Sequence, residues 1–198
     1  MKIPQRKHII KEFKGEGGKV AAVLPIHYPR ALFRAFSILP VEVWGPPGID
    51  SSYGGTHLQA YICSIVHNAL SFLKTGGLDE ADFILIPHTC DSLQGLGSVL
   101  IDFVRPPQQV LTLYLPRSKG ETDYKFLANE VRRIYNRLSG ITGLHPDDAA
   151  IFKAIQIEEN ANRTLAELYS KRQMFTLGNL DFYRLTQVYH LYTTMHYN

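Results

Sequence analysis

The chain has 198 residues, 45% of them hydrophobic and 20% charged, enough for one sizeable core or one domain with an appended helical part. A formal charge of +3 is too small to argue for nucleic acid or an anionic membrane as partner. No run of ~18 apolar residues predicts a transmembrane helix, and the basic Met1–Lys7 stretch lacks the apolar core of a signal peptide, so a cytoplasmic protein with reduced thiols is expected.

Residues 1–18 read as a basic, solvated and partly disordered lead-in. Lys19 to Pro25 is an apolar run ended by proline, the first buried strand. Pro29 opens a short helix through Leu32, Phe33 and Phe36. Val41 to Trp44 is a second strand, closed by Gly45-Pro46-Pro47-Gly48. A loop rich in Gly, Ser and Asp follows to Thr56, and His57 to Leu73 reads as one helix stopped by Thr75-Gly76-Gly77. Phe83 to Pro87 is a third strand, Leu93 to Phe103 a helix, and Val110 to Leu115 a fourth strand.

The last third is helical. Leu127, Val131, Ile134 and Leu138 mark an amphipathic helix with Thr122 near its cap, broken at Gly140 to Gly143. His145-Pro146-Asp147-Asp148 starts another, with proline at the first helical position and two acids in the first turn. Its apolar positions are Ile151, Ile155, Ala161, Leu165 and Leu168. Leu180, Phe182, Leu185, Val188 and Leu191 run along the tail beside Tyr183, Tyr189, Tyr192 and Tyr197. Continuous apolar strands separated by helices predict an α/β fold: a Rossmann-like, mostly parallel sheet of about four strands with flanking helices, followed by a C-terminal helical segment. The expected boundaries are a lobe over 19–143 and a helical segment with a truncated hinge over 144–198.

The two cysteines, Cys63 and Cys90, are the only thiols. Cys63 follows the Gly54-Gly55 turn on what reads as an apolar helix face, and Cys90 lies where the third strand runs into a turn. Carboxyl ends of strands are where open α/β sheets bind ligands. Two soft sulfur ligands at such an edge point to a metal or cluster site, against the plainer reading of each as a small buried hydrophobe. His57 reads either as a cap for the helix starting there or as a group around the site. His88 reads as a turn residue bonded to backbone. Gly54 and Gly55 would allow close approach of a ligand or form a tight turn. Arg117, past the fourth strand, could meet a phosphate or a carboxylate or remain solvated. Gly95-Leu96-Gly97 lacks the rest of a dinucleotide signature and reads as close helix packing.

Tyr53-Gly54-Gly55-Thr56-His57-Leu58-Gln59-Ala60-Tyr61-Ile62-Cys63, then Pro87-His88-Thr89-Cys90-Asp91-Ser92, then Tyr114-Leu115-Pro116-Arg117 closely resemble the 2-hydroxyacyl-CoA dehydratase family, which includes benzoyl-CoA reductase subunits and double-cubane cluster proteins. The resemblance runs from about Val20 to Leu185. It implies two stacked Rossmann-like lobes with a [4Fe–4S] cluster between them, Cys63 and Cys90 as metal ligands, and a third cysteine from the second lobe. It also implies radical dehydration of an (R)-2-hydroxyacyl-CoA to the enoyl-CoA, after one-electron reduction by an ATP-dependent iron–sulfur activator protein. His57, His88 and Ser92 would then be outer-shell candidates for the cluster, and Gly54, Gly55 and Arg117 substrate-binding candidates.

The sequence departs from that pattern in holding no third cysteine. Phe175 to Tyr183 looks like the hinge into the second lobe, so the chain is expected to be a fragment, a split-gene product or a decayed copy. Its partners would be a second lobe or homologous subunit, the activator and an acyl-CoA. A benzoyl-CoA reductase-like or double-cubane cluster reductase subunit is the alternative within iron–sulfur chemistry. A truncated, non-catalytic interaction module is the alternative outside it.

Overall fold

The computed structural model describes residues 4–25, 27–45 and 48–196, except the side chains of His190, Tyr192, Met195 and His196. The elements are α1 (Arg6–Gly15), β1 (Lys19–Val23), α2 (Arg30–Ala35), β2 (Ile38–Glu42), α3 (Ser52–Gly55), α4 (Ser64–Lys74), β3 (Phe83–His88), α5 (Asp91–Ser98), β4 (Gln109–Tyr114), α6 (Glu121–Thr142), α7 (Asp148–Ser170) and α8 (Asn179–His196). A π-helical turn, Val99–Val104, continues α5, and a 3-10 turn, Arg172–Met174, follows α7.

The four strands form one parallel sheet in the order β2-β1-β3-β4. This is the expected α/β class. β1 and β3 are apolar along almost their whole length because both of their faces are covered. β4, at an edge, alternates instead. Pairing of β1 with β3 ends at Val23 opposite Leu85. Pro87, which has no N–H to donate, comes after that last rung.

The chain divides into two compact units. One comprises Val20–Pro29 and Pro40–Ile141. Its core joins Ala22, Leu24, Ile84 and Ile86 of the β1 and β3 segments to Val66, Ala69, Leu70 and Leu73 of α4 and Leu93 and Leu96 of α5. The other unit comprises Met1–Lys19, Arg30–Leu39 and Thr142–Asn198. There α1 packs against α8 and α2 against α7.

Several expectations are corrected. The amino-terminal stretch is not a solvated lead-in from residue 4 onward: it folds as α1, with Ile9 and Phe13, one turn apart, buried. Its first three residues lie outside the described ones. Residues 57–63 are not helical; α4 begins at Ser64. The second strand starts three residues earlier than expected, at Ile38. Pro146 does not open α7, because Asp147 is the cap, its carboxylate accepting from the Ala150 amide at 2.8 Å. On α7, Ile155 is exposed, and the buried stripe is Ala154, Glu158 and Ala161. Tyr183 is exposed on α8, and the Tyr192 and Tyr197 side chains lie outside the described residues. No helix among the described residues is long and apolar enough to cross a membrane.

Candidate functional site at the carboxyl edge of the sheet

From β1 the chain moves outward to β2, then returns past β1 to β3 and β4. Strand order therefore reverses between β1 and β3, and in open parallel sheets that switch point opens a crevice at the carboxyl ends. α5 leaves the carboxyl end of β3 directly. α4 leads into the amino end of β3 through Thr75–Asp82, so its own amino end lies back at the carboxyl side.

Both cysteines occupy corresponding places in this frame. Cys63 is the N-cap of α4 and Cys90 the N-cap of α5, each with extended backbone and each exposed. Cys63 is thus not on an apolar helix face. The helices pack against one another, and the first-turn N–H groups of each favour negative charge at the cap. Neither cysteine is part of a group of three or more metal-ligating side chains among the described residues.

The other predicted residues fall into distinct environments. His57 is exposed in the turn before α4, its amide donating to the Gly54 carbonyl; it caps no helix. Ser92 is half-buried in the first turn of α5, two residues past Cys90. Arg117 is almost fully solvated and reaches Asp91 at 3.7 Å. Gly54 is buried where α3 meets α4. Its amide donates to Ser71 Oγ at 3.0 Å, and a Cβ there would lie 2.7 Å from the His67 carbonyl oxygen and 2.9 Å from His67 Cα. Its close approach is to a helix. Gly55 faces open space. Gly54→Ala is expected to cost about 1–3 kcal/mol by overpacking, read as a shift in denaturation midpoint, while Gly55→Ala should be neutral or slightly stabilising.

His88, the last residue of β3, is not bonded to backbone through its ring. Both ring nitrogens are buried without a hydrogen-bond partner among the described residues. The ring meets Tyr114 edge-on at 4.5 Å, and Nε2 lies 2.9 Å from where a Cβ on Gly97 would be. Gly97 therefore makes room for the imidazole under α5. Burial, and next the Arg133 charge, push its pKa below the usual histidine range, with Glu130 opposing. The shift favours the neutral imidazole.

Behind Tyr114 stands an i,i+3 pair on α6, Glu130 and Arg133, whose contacts to the backbone of β4 no local pattern reveals. Arg133 bonds Glu130 at 2.7 Å and the Thr112 carbonyl at 2.5 Å, while Glu130 accepts from the Tyr114 amide at 3.1 Å. The Arg133 bond, assisted by that amide, holds the Glu130 carboxyl below its usual value of about 4.5 despite partial burial. A carboxyl with a depressed folded-state pKa stabilises the fold above its unfolded pKa, and that stability is lost as pH falls through the folded pKa. Glu130→Gln should therefore flatten the fall in stability below about pH 4.5, measured by denaturant unfolding at stepped pH; an unchanged acid limb would contradict it.

The chain thus presents a parallel α/β lobe with two exposed thiols at helix caps on the carboxyl side of the sheet, where open α/β sheets as a class bind ligands. The chain belongs to the family described as 2-hydroxyglutaryl-CoA dehydratase, D-component, whose model matches residues 25–197. It is 26% identical over 167 residues to the lactoyl-CoA dehydratase subunit beta of Anaerotignum propionicum, covering 83% of this chain and 43% of that protein. It is 27% identical over 160 residues to the (R)-phenyllactyl-CoA dehydratase beta subunit of Clostridium sporogenes, covering 81% and 42%. To a benzoyl-CoA reductase subunit of Thauera aromatica it is 23% identical over 171 residues, covering 84% and 44%. The chain spans less than half the length of these curated relatives.

Proposed function

We propose that this chain is the thiol-bearing lobe of a 2-hydroxyacyl-CoA dehydratase-type subunit, with Cys63 and Cys90 supplying two ligands to an iron–sulfur cluster. The observation that carries the reading is the placement of both thiols as exposed N-caps on the carboxyl side of one sheet, in a chain of the dehydratase family. The donor set fits such a group in part. Thiolate is its usual ligand, and a cuboidal cluster takes three or four; this chain holds two cysteines. A further ligand comes from outside the chain, through a second lobe or a homologous subunit.

When bound, such a group supplies one-electron transfer and a Lewis-acidic metal. The chain's own contribution is positional. The α4 and α5 amino ends present the sulfurs and favour negative charge beside them. Ser92 lies within the first turn of α5 as a hydroxyl donor, and His57 stands in the loop before Cys63. The His88 ring packs between Gly97 of α5 and Tyr114 of β4. The substrate class is a 2-hydroxyacyl-CoA, as the names of the dehydratase relatives indicate, with the electron supplied by a separate activator. The similarity to a benzoyl-CoA reductase subunit favours reduction of an aromatic acyl-CoA as the second reading.

The test is anaerobic reconstitution with iron and sulfide, with and without a cysteine-containing second lobe. The proposal expects a broad visible chromophore when the second lobe is present, followed by loss of water from a 2-hydroxyacyl-CoA once activator and ATP are added. Reduction of benzoyl-CoA instead selects the second reading. A colourless protein in both arms leaves an interaction module.

A further inference from the structure

Along α7 runs a second stripe, distinct from the one that packs inward. Phe152, Ile155, Glu159, Asn162, Ala166 and Tyr169 recur at alternating steps of three and four. That is the spacing of a helix–helix seam, and all six residues are exposed. The stripe lies roughly 100° round the helix from the buried Ala154, Glu158 and Ala161. Phe152 is 60%, Ile155 46% and Tyr169 54% exposed. A lone exposed apolar side chain needs no explanation, but apolar residues at seam spacing on one face mark a docking strip. The Tyr169 ring is set in place by Phe182 of α8, which it meets edge-on at 5.4 Å.

The order of residues along the stripe says what fits it. It has the same pattern in both directions about a midpoint between Asn160 and Ala161. Set antiparallel to a second copy about that midpoint, Phe152 faces the other Tyr169, and Ile155 faces the other Ala166. Aromatics meet at both ends, and a large aliphatic meets a small side chain. At the centre Glu159 faces the other Asn162, whose amide donates to a carboxylate. Arg163 reaches Glu159 of its own helix at 3.7 Å, and across the midpoint it stands beside the other Glu159 as well. Charges of opposite sign therefore alternate about the axis. Parallel pairing instead sets Glu159 against Glu159, a like-charge contact. A slip of one heptad sets Phe152 against Asn162 and Ile155 against Glu159. The polar centre thus selects direction and register, as polar seam positions do in coiled coils.

We propose that α7 is a contact between two copies of this chain, paired antiparallel about a two-fold axis between Asn160 and Ala161. The strip from Phe152 to Tyr169 is about 26 Å long. One helix pair of that length is at the small end of specific interfaces, so the dimer forms in the micromolar range. The pairing uses neither thiol, and its failure leaves the sulfur reading untouched.

The full reduced chain is followed by analytical ultracentrifugation from low to high micromolar concentration. A monomer–dimer equilibrium is expected. Ile155→Asp and Ala166→Glu, on the two sides of one contact, should each weaken it about tenfold or more, with circular dichroism checking the fold. Direction is read from spin labels on Asn160→Cys or Ala149→Cys, each in a Cys63→Ser, Cys90→Ser background. The antiparallel pair sets labels at 160 nearly level and labels at 149 about 35 Å apart along the axis. A chain that stays monomeric, a dimer that neither variant weakens, or equal label separations at the two positions overturns the proposal. So does a dimer that dissociates when a cysteine-containing second lobe is added, because the stripe then belongs to that lobe.

Discussion

Arg34→Ala is expected to destabilise the helical unit by about 3–5 kcal/mol, because it leaves a buried carboxylate without its cation. Arg34 on α2 and Glu158 on α7 are only 3% and 6% exposed. The guanidinium donates to Glu158 Oε1 from Nε at 2.9 Å and from Nη2 at 2.5 Å, and to the Thr193 carbonyl of α8 at 2.7 Å. Three helices are thus tied through one side chain. Glu158 Oε2 has no partner among the described residues, so the pair is incompletely satisfied. An incomplete buried pair contributes more to which helices meet than to net stability. Glu158→Ala should cost a similar amount, while the double replacement Arg34→Met with Glu158→Leu should recover most of the loss. Urea unfolding of the four proteins checks this. Single variants within about 0.5 kcal/mol of the parent, the level of an ordinary surface change, would show that the pair is not closed in solution.

The second large effect falls on the thiols. Cys63→Ser or Cys90→Ser alone should abolish stable cofactor loading in the presence of the second lobe. Each removes one of the few soft ligands, and a serine hydroxyl is a much poorer ligand for such a group. Both positions are exposed helix caps, where serine is itself a favoured cap, so the fold should be undisturbed. Iron and sulfide content after desalting reads the result, with the melting curve as control. Full loading of either variant would remove that cysteine from the ligand set.

The parallel sheet is legible in the sequence because β1 and β3 are buried on both faces and read as unbroken apolar runs. Cys90 is legible as a residue just past a strand end for the same reason, whereas Cys63 reads as part of a helix and instead caps one. The start of α4 is not legible. Its cap is Cys63, which makes no side-chain cap hydrogen bond, and the serine that would signal a cap, Ser64, is already the first helical residue. The helix α1 is hidden because only Ile9 and Phe13 of its ten residues are buried. Glu158 reads as part of a solvated face, since its partner lies 124 positions away; no local pattern encodes that pairing. His88 reads as a turn residue because Pro87 precedes it, whereas Gly97 on α5 opens the space that its ring fills.

The most direct test of the account asks whether the two sulfurs can grip one object. A bifunctional thiol reagent that fluoresces only when both of its arms have reacted is applied to the reduced chain under anaerobic conditions. The account predicts intramolecular bridging of Cys63 to Cys90, visible in a monomeric band and as one linked peptide pair by mass spectrometry, and absent from either serine variant. Separate single-arm adducts on the two thiols, with no bridge, would contradict a shared rim and remove the basis for a common metal group.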